Sequence, residues 1–302
     1  MTQRGAGRGQ RQKPPRRRSS PENALHLGRS ISIPILYEDH HLLAIDKPSG
    51  WLTTTARWSH TKQNLQREIE IAIAKREPWV TRKGIRFLRF VHRLDRETSG
   101  VLLLAKSRHA LSKVGKLFAQ QKIKKLYLCA VKGSVDLVAW SCKAPLAPSN
   151  STDNRMRIEP RNGQHATTLF KRLKTSPQRS LVLAFPQTGR THQIRVHLQA
   201  AGHPILGDPL YSPKSEKQAP NRKGQFARQS MGLRAWAVHF QYSPNHKPIV
   251  ISAPSSSFLR QFAPNVDHPD LKKALDDMEQ LTQSNELVTT ETGRLPNHPG
   301  NC

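Results

Sequence analysis

The sequence contains little cysteine, few acidic residues and no long apolar run. Its three cysteines, Cys129, Cys142 and Cys302, are widely spaced and form neither a C-x-x-C metal pattern nor a disulfide framework. We therefore expect a reducing compartment, the cytoplasm, and no disulfide-linked partner. No segment approaches the ~20 apolar residues of a membrane span, and residues 1–23 lack the apolar stretch of a secretory signal. The absences predict a soluble protein with no membrane partner.

Only 21 residues are acidic against 49 Lys and Arg, which gives the 302 residues a formal net charge of +28. Such an excess attracts phosphate-bearing ligands and resists self-association, so we expect a polyanionic partner and a monomer. The charge alone leaves RNA, DNA and an anionic membrane surface as alternatives.

The charge is divided unevenly along the chain. Residues 1–30 carry +7 and offer almost nothing to bury, so they are predicted to form a disordered arm. Residues 264–302 carry −4 and are predicted to be a mostly disordered tail, in which only residues 269–281 favour a short helix. Residues 31–263 keep +25, so most of the excess belongs to the predicted folded domain.

The middle segment interleaves strand and helix patterns irregularly and shows no fixed-period repeat, which predicts one mixed α/β unit of the α+β type. Helices are predicted at residues 65–75 and after a cap at Ser107, where apolar residues recur at helical spacing. Antiparallel pairing should dominate, because turn residues separate many of the strands. The predicted strands are residues 33–37, 42–46, 87–94, 101–105, 126–131, 155–158, 167–173, 181–185, 236–240 and 249–251.

A first motif, VHRLDRETSG at residues 91–100, places Asp95 among basic residues where a predicted strand ends. Catalytic groups often lie on such loops. The alternative is a surface turn whose aspartate accepts local backbone hydrogen bonds, and composition alone favours this alternative.

A second motif, PQTGRTHQIRVHL, follows another predicted strand. Thr191 is predicted to cap a helix that ends at Gly202. One face of this helix carries His192 and Arg195, and it is either solvated or arranged to bind a phosphate or a carboxylate. His192 and His197 are five residues apart, the wrong interval for two ligands on one helix face, so no metal site is predicted.

A third motif, KIKKLYL at residues 122–128, places Tyr127 on a strand beside three lysines. Taken alone, Tyr127 is more simply a core or edge tyrosine. Basic residues around an aromatic ring are, however, what a nucleic-acid groove uses to hold the backbone and a base.

In their order along the chain, these segments resemble the RluA-type pseudouridine synthases. The resemblance rests mainly on two long motifs, HRLDRETSG at residues 92–100 and GRTHQIRVH at residues 189–197. The shorter motifs DKPSG at residues 46–50 and KLY at residues 125–127 add to it. The resemblance implies the pseudouridine synthase fold, a mixed and largely antiparallel central sheet flanked by helices, with an active-site cleft.

Members of that family isomerise uridine in RNA to pseudouridine without a cofactor, most commonly in rRNA and next in tRNA. The resemblance implies that Asp95 is the catalytic carboxylate and acts on a flipped-out uridine. Carboxylates do comparable work at the anomeric carbon in glycosidases. Arg195 matches an arginine that pairs with this aspartate. Tyr127 matches a tyrosine that stacks on the uracil and is a candidate for removing the proton from C5.

Four further residues of the two long motifs are expected to bind the substrate. Arg93 matches an arginine associated with the flipped-out nucleotide and the gap that it leaves. The other three are His92, Arg190 and His192.

The sequence departs from the family pattern in three places. Family members often carry an N-terminal S4-type RNA-binding domain, but the residues before Ile31 are too few to form one, so we expect none. A family Leu-His-Ala is replaced by Leu233-Arg234-Ala235, and a Tyr-Gly by Tyr211-Ser212. Binding is then expected to rest on the catalytic domain and the basic arm, so deleting residues 1–28 should weaken RNA binding and leave the fold intact.

Two other functions remain open at this stage. A non-catalytic RNA-binding or ribosome-assembly protein with the same fold is one, although the presence of Asp95, Tyr127 and Arg195 argues against it. An RNA hydrolase that uses His92, His192 or His197 is the other.

Overall fold

A computed structural model describes residues 23–28, 31–53, 63–151, 154–212, 230–264, 266–283 and 287–293. The helices in these ranges are α1 (Leu65–Ala74), α2 (Pro78–Arg82), α3 (Arg108–Ala119), α4 (Gln193–Ala200), α5 (Ser256–Phe262) and α6 (Leu271–Gln283). The strands are β1 (Ala24–Leu27), β2 (Ile31–Glu38), β3 (Leu42–Lys47), β4 (Arg89–Phe90), β5 (Ser99–Ala105), β6 (Lys124–Lys132), β7 (Ala139–Cys142), β8 (Leu146–Pro148), β9 (Met156–Ile158), β10 (Thr168–Thr175), β11 (Arg179–Pro186), β12 (Leu233–Phe240), β13 (Ile249–Ser252) and β14 (Val288–Thr290).

Twelve of the described strands form one mixed sheet. Its order is β1-β2-β3-β5-β12-β6-β11-β10-β7-β14, with β13 paired to β12 and β4 paired to β5. Only the β5–β12 and β7–β14 pairs are parallel among the described pairings. The prediction of a mixed, largely antiparallel sheet flanked by helices is therefore confirmed.

Helices pack on both faces of the sheet, because side chains alternate along each strand. On β6, Cys129 and Val131 join a cluster with residues of α4, and Tyr127 packs against its edge. Leu126 and Leu128 point to the opposite face, where α5 and α6 pack. Tyr127 and α4 thus share one face of the sheet, and the candidate site lies on that face.

The predicted helix boundaries are mostly confirmed. The Ser107 hydroxyl accepts the Ala110 N–H at 3.1 Å and caps α3 as predicted. Gly202 follows α4 with φ +85°, the left-handed conformation that a terminating glycine adopts. The predicted Thr191 cap is wrong: His192, at φ 54°, is the N-cap and makes no side-chain capping bond. The Gln193 side chain holds this turn instead, since its Oε1 accepts from Arg190 N at 3.0 Å.

The strand predicted at residues 87–94 is confirmed only at Arg89–Phe90. The Val91 N–H still donates to Leu103 O of β5 at 3.1 Å, but the next hydrogen bond between the two segments involves a side chain. Leu103 N donates to His92 Nε2 at 3.0 Å, so an imidazole takes the place of a backbone carbonyl. The strand ends there, and the chain turns into the loop that carries Asp95.

Both predicted domain boundaries need correction. β1 pairs antiparallel with β2 and buries Leu25 and Leu27, so order begins before residue 31. The remainder of the predicted arm, apart from residues 23–28, lies outside the described residues. The acidic tail contains α6, close to its predicted position, and β14 pairs with β7 at the sheet edge. A few apolar side chains spaced for one face were enough to anchor each segment, and charge counting does not detect them.

Within the described ranges, no helix is both long and apolar enough to cross a membrane.

Candidate active site

Asp95 lies in the loop between β4 and β5, and the buried Lys47 of β3 holds this loop in place by hydrogen bonds. Lys47 Nζ donates to the carbonyl oxygens of Arg96 at 3.0 Å and Thr98 at 2.7 Å. Burial lowers the pKa of Lys47 to about 7, while the charges of Glu97 and Asp95 oppose that shift. The hydrogen bonds of Lys47 to these backbone carbonyls hold the loop in place.

The turn after β3 forms the second half of this clamp. Gly50 N donates to Arg96 O at 2.7 Å, and Arg96 Nε returns a bond to Gly50 O at 3.0 Å. The Ser49 hydroxyl donates to Glu97 O at 2.7 Å. The DKPSG motif at residues 46–50 thus positions the loop that carries Asp95.

Arg195 of α4 joins two carboxylates in the interior. Its Nη1 lies 3.1 Å from Asp95 Oδ2, and its Nε and Nη2 each donate to Asp208 at 2.7 Å. The Arg195 side chain is only 1% exposed. Burial disfavours the charged guanidinium, but the hydrogen bonds and charges of Asp208 and Asp95 outweigh burial and raise the pKa of Arg195. A bidentate pair on one side leaves one guanidinium nitrogen to orient Asp95.

Asp208 is the site residue that sequence analysis missed. Its side chain is fully buried, and Oδ1 also accepts the backbone N–H groups of Leu210 at 2.9 Å and Tyr211 at 3.1 Å. Asp208 lies in the GDP segment at residues 207–209, whose Gly and Pro are typical of a turn. Burying the Arg195 charge without enough acidic partners would strongly destabilise the fold. A buried Arg195 therefore predicts a second acidic partner besides Asp95, and Asp208 is that partner.

His192 stands beside Asp95, with its Nε2 3.9 Å from Asp95 Oδ2. The Tyr211 hydroxyl accepts the Met156 N–H at 2.8 Å, so its own proton can be donated to His192 Nδ1 at 2.9 Å. This pattern leaves the imidazole proton on Nε2, which lies 3.9 Å from Asp95 Oδ2. Burial lowers the pKa of His192 although the Asp95 charge opposes it. A neutral histidine thus faces the carboxylate.

Tyr127 of β6 completes the group. Burial, and after it the negative charge of Asp95, raises the pKa of the Tyr127 phenol. Among the described residues, Asp95, Tyr127, His192 and Arg195 line one cavity of about 450 Å³. This size is in the range of small-ligand sites.

The predicted substrate-binding residues also line this cavity. Arg93 and Arg190 are exposed there. Arg190 Nε donates to His165 O at 2.9 Å, which anchors that guanidinium over the second motif. His92 forms part of the wall, stacked on Phe118 with ring centroids 4.8 Å apart.

Two of the three histidines considered for hydrolysis are occupied by structural bonds. His92 Nε2 accepts a backbone N–H, and burial lowers the pKa of His92 to about 3. His197 contacts Thr168 Oγ1 and Ala144 O, each at 3.0 Å, and burial lowers its pKa to about 4. These rings stay neutral in the physiological range and keep their nitrogens bonded, which argues against hydrolysis by them.

Arg234 shows what one departure from the family pattern does. Its guanidinium donates to Asp46 Oδ2 at 2.7 Å and to Ser99 Oγ at 3.2 Å, and its Nε donates to Pro254 O at 2.9 Å. The side chain thereby ties β12 to β3 and β5 outside the cavity. Tyr211, which precedes the departure at Ser212 and itself matches the family pattern, orients His192.

No group of three or more His, Cys, Asp or Glu is placed to hold a metal ion in the described part of the chain.

Comparison with known proteins gives concordant results. The sequence model of the RNA pseudouridylate synthase family matches residues 41–200. The ribosomal large subunit pseudouridine synthase C of Vibrio parahaemolyticus is 36% identical over 246 residues, which cover 80% of this chain and 72% of that protein. The protein of the same name from Pasteurella multocida is 32% identical over 278 residues, covering 90% of this chain and 77% of that protein.

Solved structures agree with the fold. Human RNA pseudouridylate synthase domain containing 1 superposes with a TM-score of 0.59 at 24% identity, covering 87% of this chain and 98% of that chain. Human RNA pseudouridylate synthase domain containing 4 gives a TM-score of 0.60 at 24% identity, covering 78% and 94%. At this identity the likeness concerns the fold alone.

Proposed function

The chain belongs to the RNA pseudouridylate synthase family, of the RluA type, and we propose that it isomerises specific uridines of ribosomal RNA to pseudouridine with Asp95 as the catalytic carboxylate. As a pseudouridine synthase it is an isomerase. The choice of ribosomal RNA is supported by the names of its curated relatives, and transfer RNA is the second candidate.

One observation carries the proposal. A carboxylate at a cavity wall is oriented by a buried arginine, with Tyr127 and His192 lining the same cavity. Arg195 gives one nitrogen to Asp95 Oδ2 and two to Asp208. Asp95 therefore has a fixed position while its side chain stays 15% exposed toward the cavity. A surface turn, the simpler interpretation of the motif, has no need of a buried guanidinium.

The reaction exchanges one glycosidic bond for another within a single nucleotide. The bond between C1′ and N1 breaks, the uracil turns, and a bond between C1′ and C5 forms while C5 loses its proton and N1 gains one. No electrons are gained or lost overall, so the balance requires only a group that handles the anomeric carbon or the base, and proton transfer. The oriented Asp95 carboxylate can add to the sugar or the base, or stabilise cationic character at C1′.

Tyr127 is suited to hold the uracil and to take part in the last step. A phenyl ring that faces the cavity provides a stacking surface that needs no ionisation. Its raised pKa keeps the phenol protonated at neutral pH, so accepting the C5 proton requires the hydroxyl to pass its own proton on. Asp95, which lines the same cavity, is the candidate acceptor of that proton.

A uridine stacked in a helix cannot reach a recessed carboxylate, so the target must leave its stack. Arg93 and Arg190 are exposed at the cavity and supply positive charge for the phosphates on either side of a flipped nucleotide.

Conversion by purified protein tests the proposal. Ribosomal RNA from a strain that lacks the gene is incubated with wild type, Asp95→Ala and Asp95→Asn, and pseudouridine is counted. We expect conversion by wild type and at least a hundredfold lower rate for both variants, with a cooperative melting transition showing that each variant is folded. The exposed Asp276→Ala serves as the charge-matched control and should behave as wild type. Wild-type conversion by Asp95→Ala would contradict the role of Asp95.

A further inference from the structure

A second cavity lies next to the candidate active site and has no role in the mechanism above. It encloses about 600 Å³. Its wall carries two phenyl rings and three guanidinium groups among its described residues, and we call it the Arg–Phe groove. The residues that matter are Phe87, Arg89, Phe90, Arg93 and Arg108.

The Arg–Phe groove has the chemistry of a single-strand nucleic-acid site. Phe87 and Phe90 are only partly buried, while the three arginines are exposed. Arg108 Cζ stands 5.9 Å from the centre of the Phe87 ring, an arginine–aromatic contact at the rim. None of the described lining residues is acidic. Glu70, outside the groove, pairs with Arg89, so the positive charge that favours a polyanion comes from Arg93 and Arg108.

The Arg–Phe groove adjoins the cavity that holds Asp95. Val91, His92 and Arg93 line both. Arg93 therefore stands between the two cavities, with its exposed guanidinium at their common wall. Because these residues are shared, the two cavities are close enough for one RNA strand to reach both.

We propose that the Arg–Phe groove binds single-stranded RNA next to the target uridine, with a base against Phe87 and phosphates against Arg93 and Arg108. This inference rests on the proposed function, which supplies the RNA. The physical grounds are that a ring accepts any unstacked base and that guanidinium groups hold the backbone. A duplex does not fit these rings, because its bases are stacked on each other and their faces are closed.

The test measures affinity for a fluorescent oligouridylate of about twelve nucleotides, a length within the usual range of single-strand sites. Phe87→Leu keeps an apolar side chain but removes the ring, and its Kd should rise about fivefold or more. Phe87→Tyr keeps the ring and should bind as wild type. Arg108→Gln should raise the Kd severalfold and flatten the salt dependence.

Arg260→Gln is the matched control for the charge change. Arg260 is exposed on α5, on the opposite face of the sheet from Tyr127, and lines neither cavity. Its removal should leave the oligouridylate Kd within error of wild type. An equal loss of oligouridylate affinity for Arg260→Gln and Arg108→Gln would show that net charge alone determines binding and would contradict the proposed RNA site in the Arg–Phe groove.

Failure of the groove and failure of the proposed function are separable. If Phe87→Leu and Arg108→Gln melt and bind as wild type, the groove is wrong whether or not the protein converts uridine. Should Phe87→Leu fail to fold, Arg108→Gln, which changes only an exposed side chain, still decides. If wild type converts no uridine while both variants bind weakly, the groove stands and the proposed function is wrong.

Discussion

At the scale of single residues, the site depends on one buried guanidinium. Arg195 makes two 2.7 Å bonds to Asp208 and one 3.1 Å bond to Asp95. Asp208 neutralises the arginine in the interior, and Asp95 takes the remaining nitrogen at the cavity. Without Asp208, the desolvated guanidinium keeps only Asp95 at 3.1 Å and the more distant Glu97 at 3.8 Å.

Asp208→Asn tests whether Asp208 is needed to neutralise the buried Arg195. The amide is isosteric but neutral, so part of the compensation of Arg195 is lost, and we expect the free energy of unfolding to fall by about 3 kcal/mol. For a domain of this size the melting temperature should drop by roughly 6 to 12 °C. Thermal melts of Asp208→Asn and of the exposed control Asp276→Asn provide the comparison. Equal melting of the two variants would contradict the structural role of Asp208.

The buried histidines His92 and His197 make the folded state less stable as the pH falls. Burial lowers the pKa of His197 to about 4, below its unfolded value near 6.5. The unfolded chain therefore binds more protons between these values, so stability is present above pH 6.5 and is lost as the pH falls toward 4. His92, whose pKa burial lowers to about 3, acts in the same direction.

His197→Gln should reduce this acid sensitivity, because glutamine can bond to the same neighbours and does not titrate. Protonation of His197 should lower the free energy of unfolding of wild type by about 3 kcal/mol between pH 6.5 and 4. The variant should therefore lose about 3 kcal/mol less over this range. Melting curves across this range measure the effect, with His109→Gln, an exposed histidine, as control. A wild-type pH profile for His197→Gln would refute this account.

The sequence singled out the proposed site residues more readily than the residues that position them. Asp95 and Arg195 lie in long, specific motifs and Tyr127 in a shorter one, and the structure brings all three to one cavity. Asp208 and Lys47 lie in short segments whose composition predicts a turn. Their roles arise from contacts with distant parts of the chain, such as Lys47 with Thr98, and local sequence carries no record of those contacts.

At the scale of elements, regular periodicity was the reliable signal. α1, α3 and most predicted strands appear where their patterns place them. The residues 87–94 looked like one strand, but the His92 ring interrupts the ladder after Phe90. β1 and β14 were missed because each is short and gains its stability from pairing with a neighbour.

Two truncations separate the arm from the strand that follows it. Deletion of residues 1–28 removes β1, whose Leu25 and Leu27 are buried, and each buried leucine contributes about 1.5–3 kcal/mol. We expect a clear drop in melting temperature, which corrects the sequence-based expectation of an intact fold. Deletion of residues 1–22 keeps β1 and should melt as wild type. The two should differ in stability, and identical melts would show that β1 is dispensable.

At the scale of the whole molecule, the excess of positive charge explains the partner class. The net charge of +28 lies mainly on residues 31–263, and the acidic tail partly offsets it. α6 places Glu279 against Lys124 and Asp277 against Lys171, so some lysines of the sheet are already paired. Arg93, Arg108 and Arg190, which line the two cavities, are exposed and can contact RNA.

The affinity for RNA should accordingly depend steeply on salt. Each phosphate contact on a single strand contributes about −0.7 to the slope of log K against log salt. We expect the affinity for oligouridylate to fall at least about tenfold between roughly 50 and 200 mM salt. Anisotropy titrations at several salt concentrations measure the slope. A flat response would mean that the basic surface does not follow the RNA backbone.

The central claim, that Asp95 makes pseudouridine in ribosomal RNA, is tested most directly by mapping pseudouridines in a deletion strain complemented with wild type or Asp95→Ala. The account predicts that one or more large-subunit pseudouridines disappear on deletion, return with wild type and stay absent with Asp95→Ala. Identical maps in all strains, or restoration by Asp95→Ala, would contradict it.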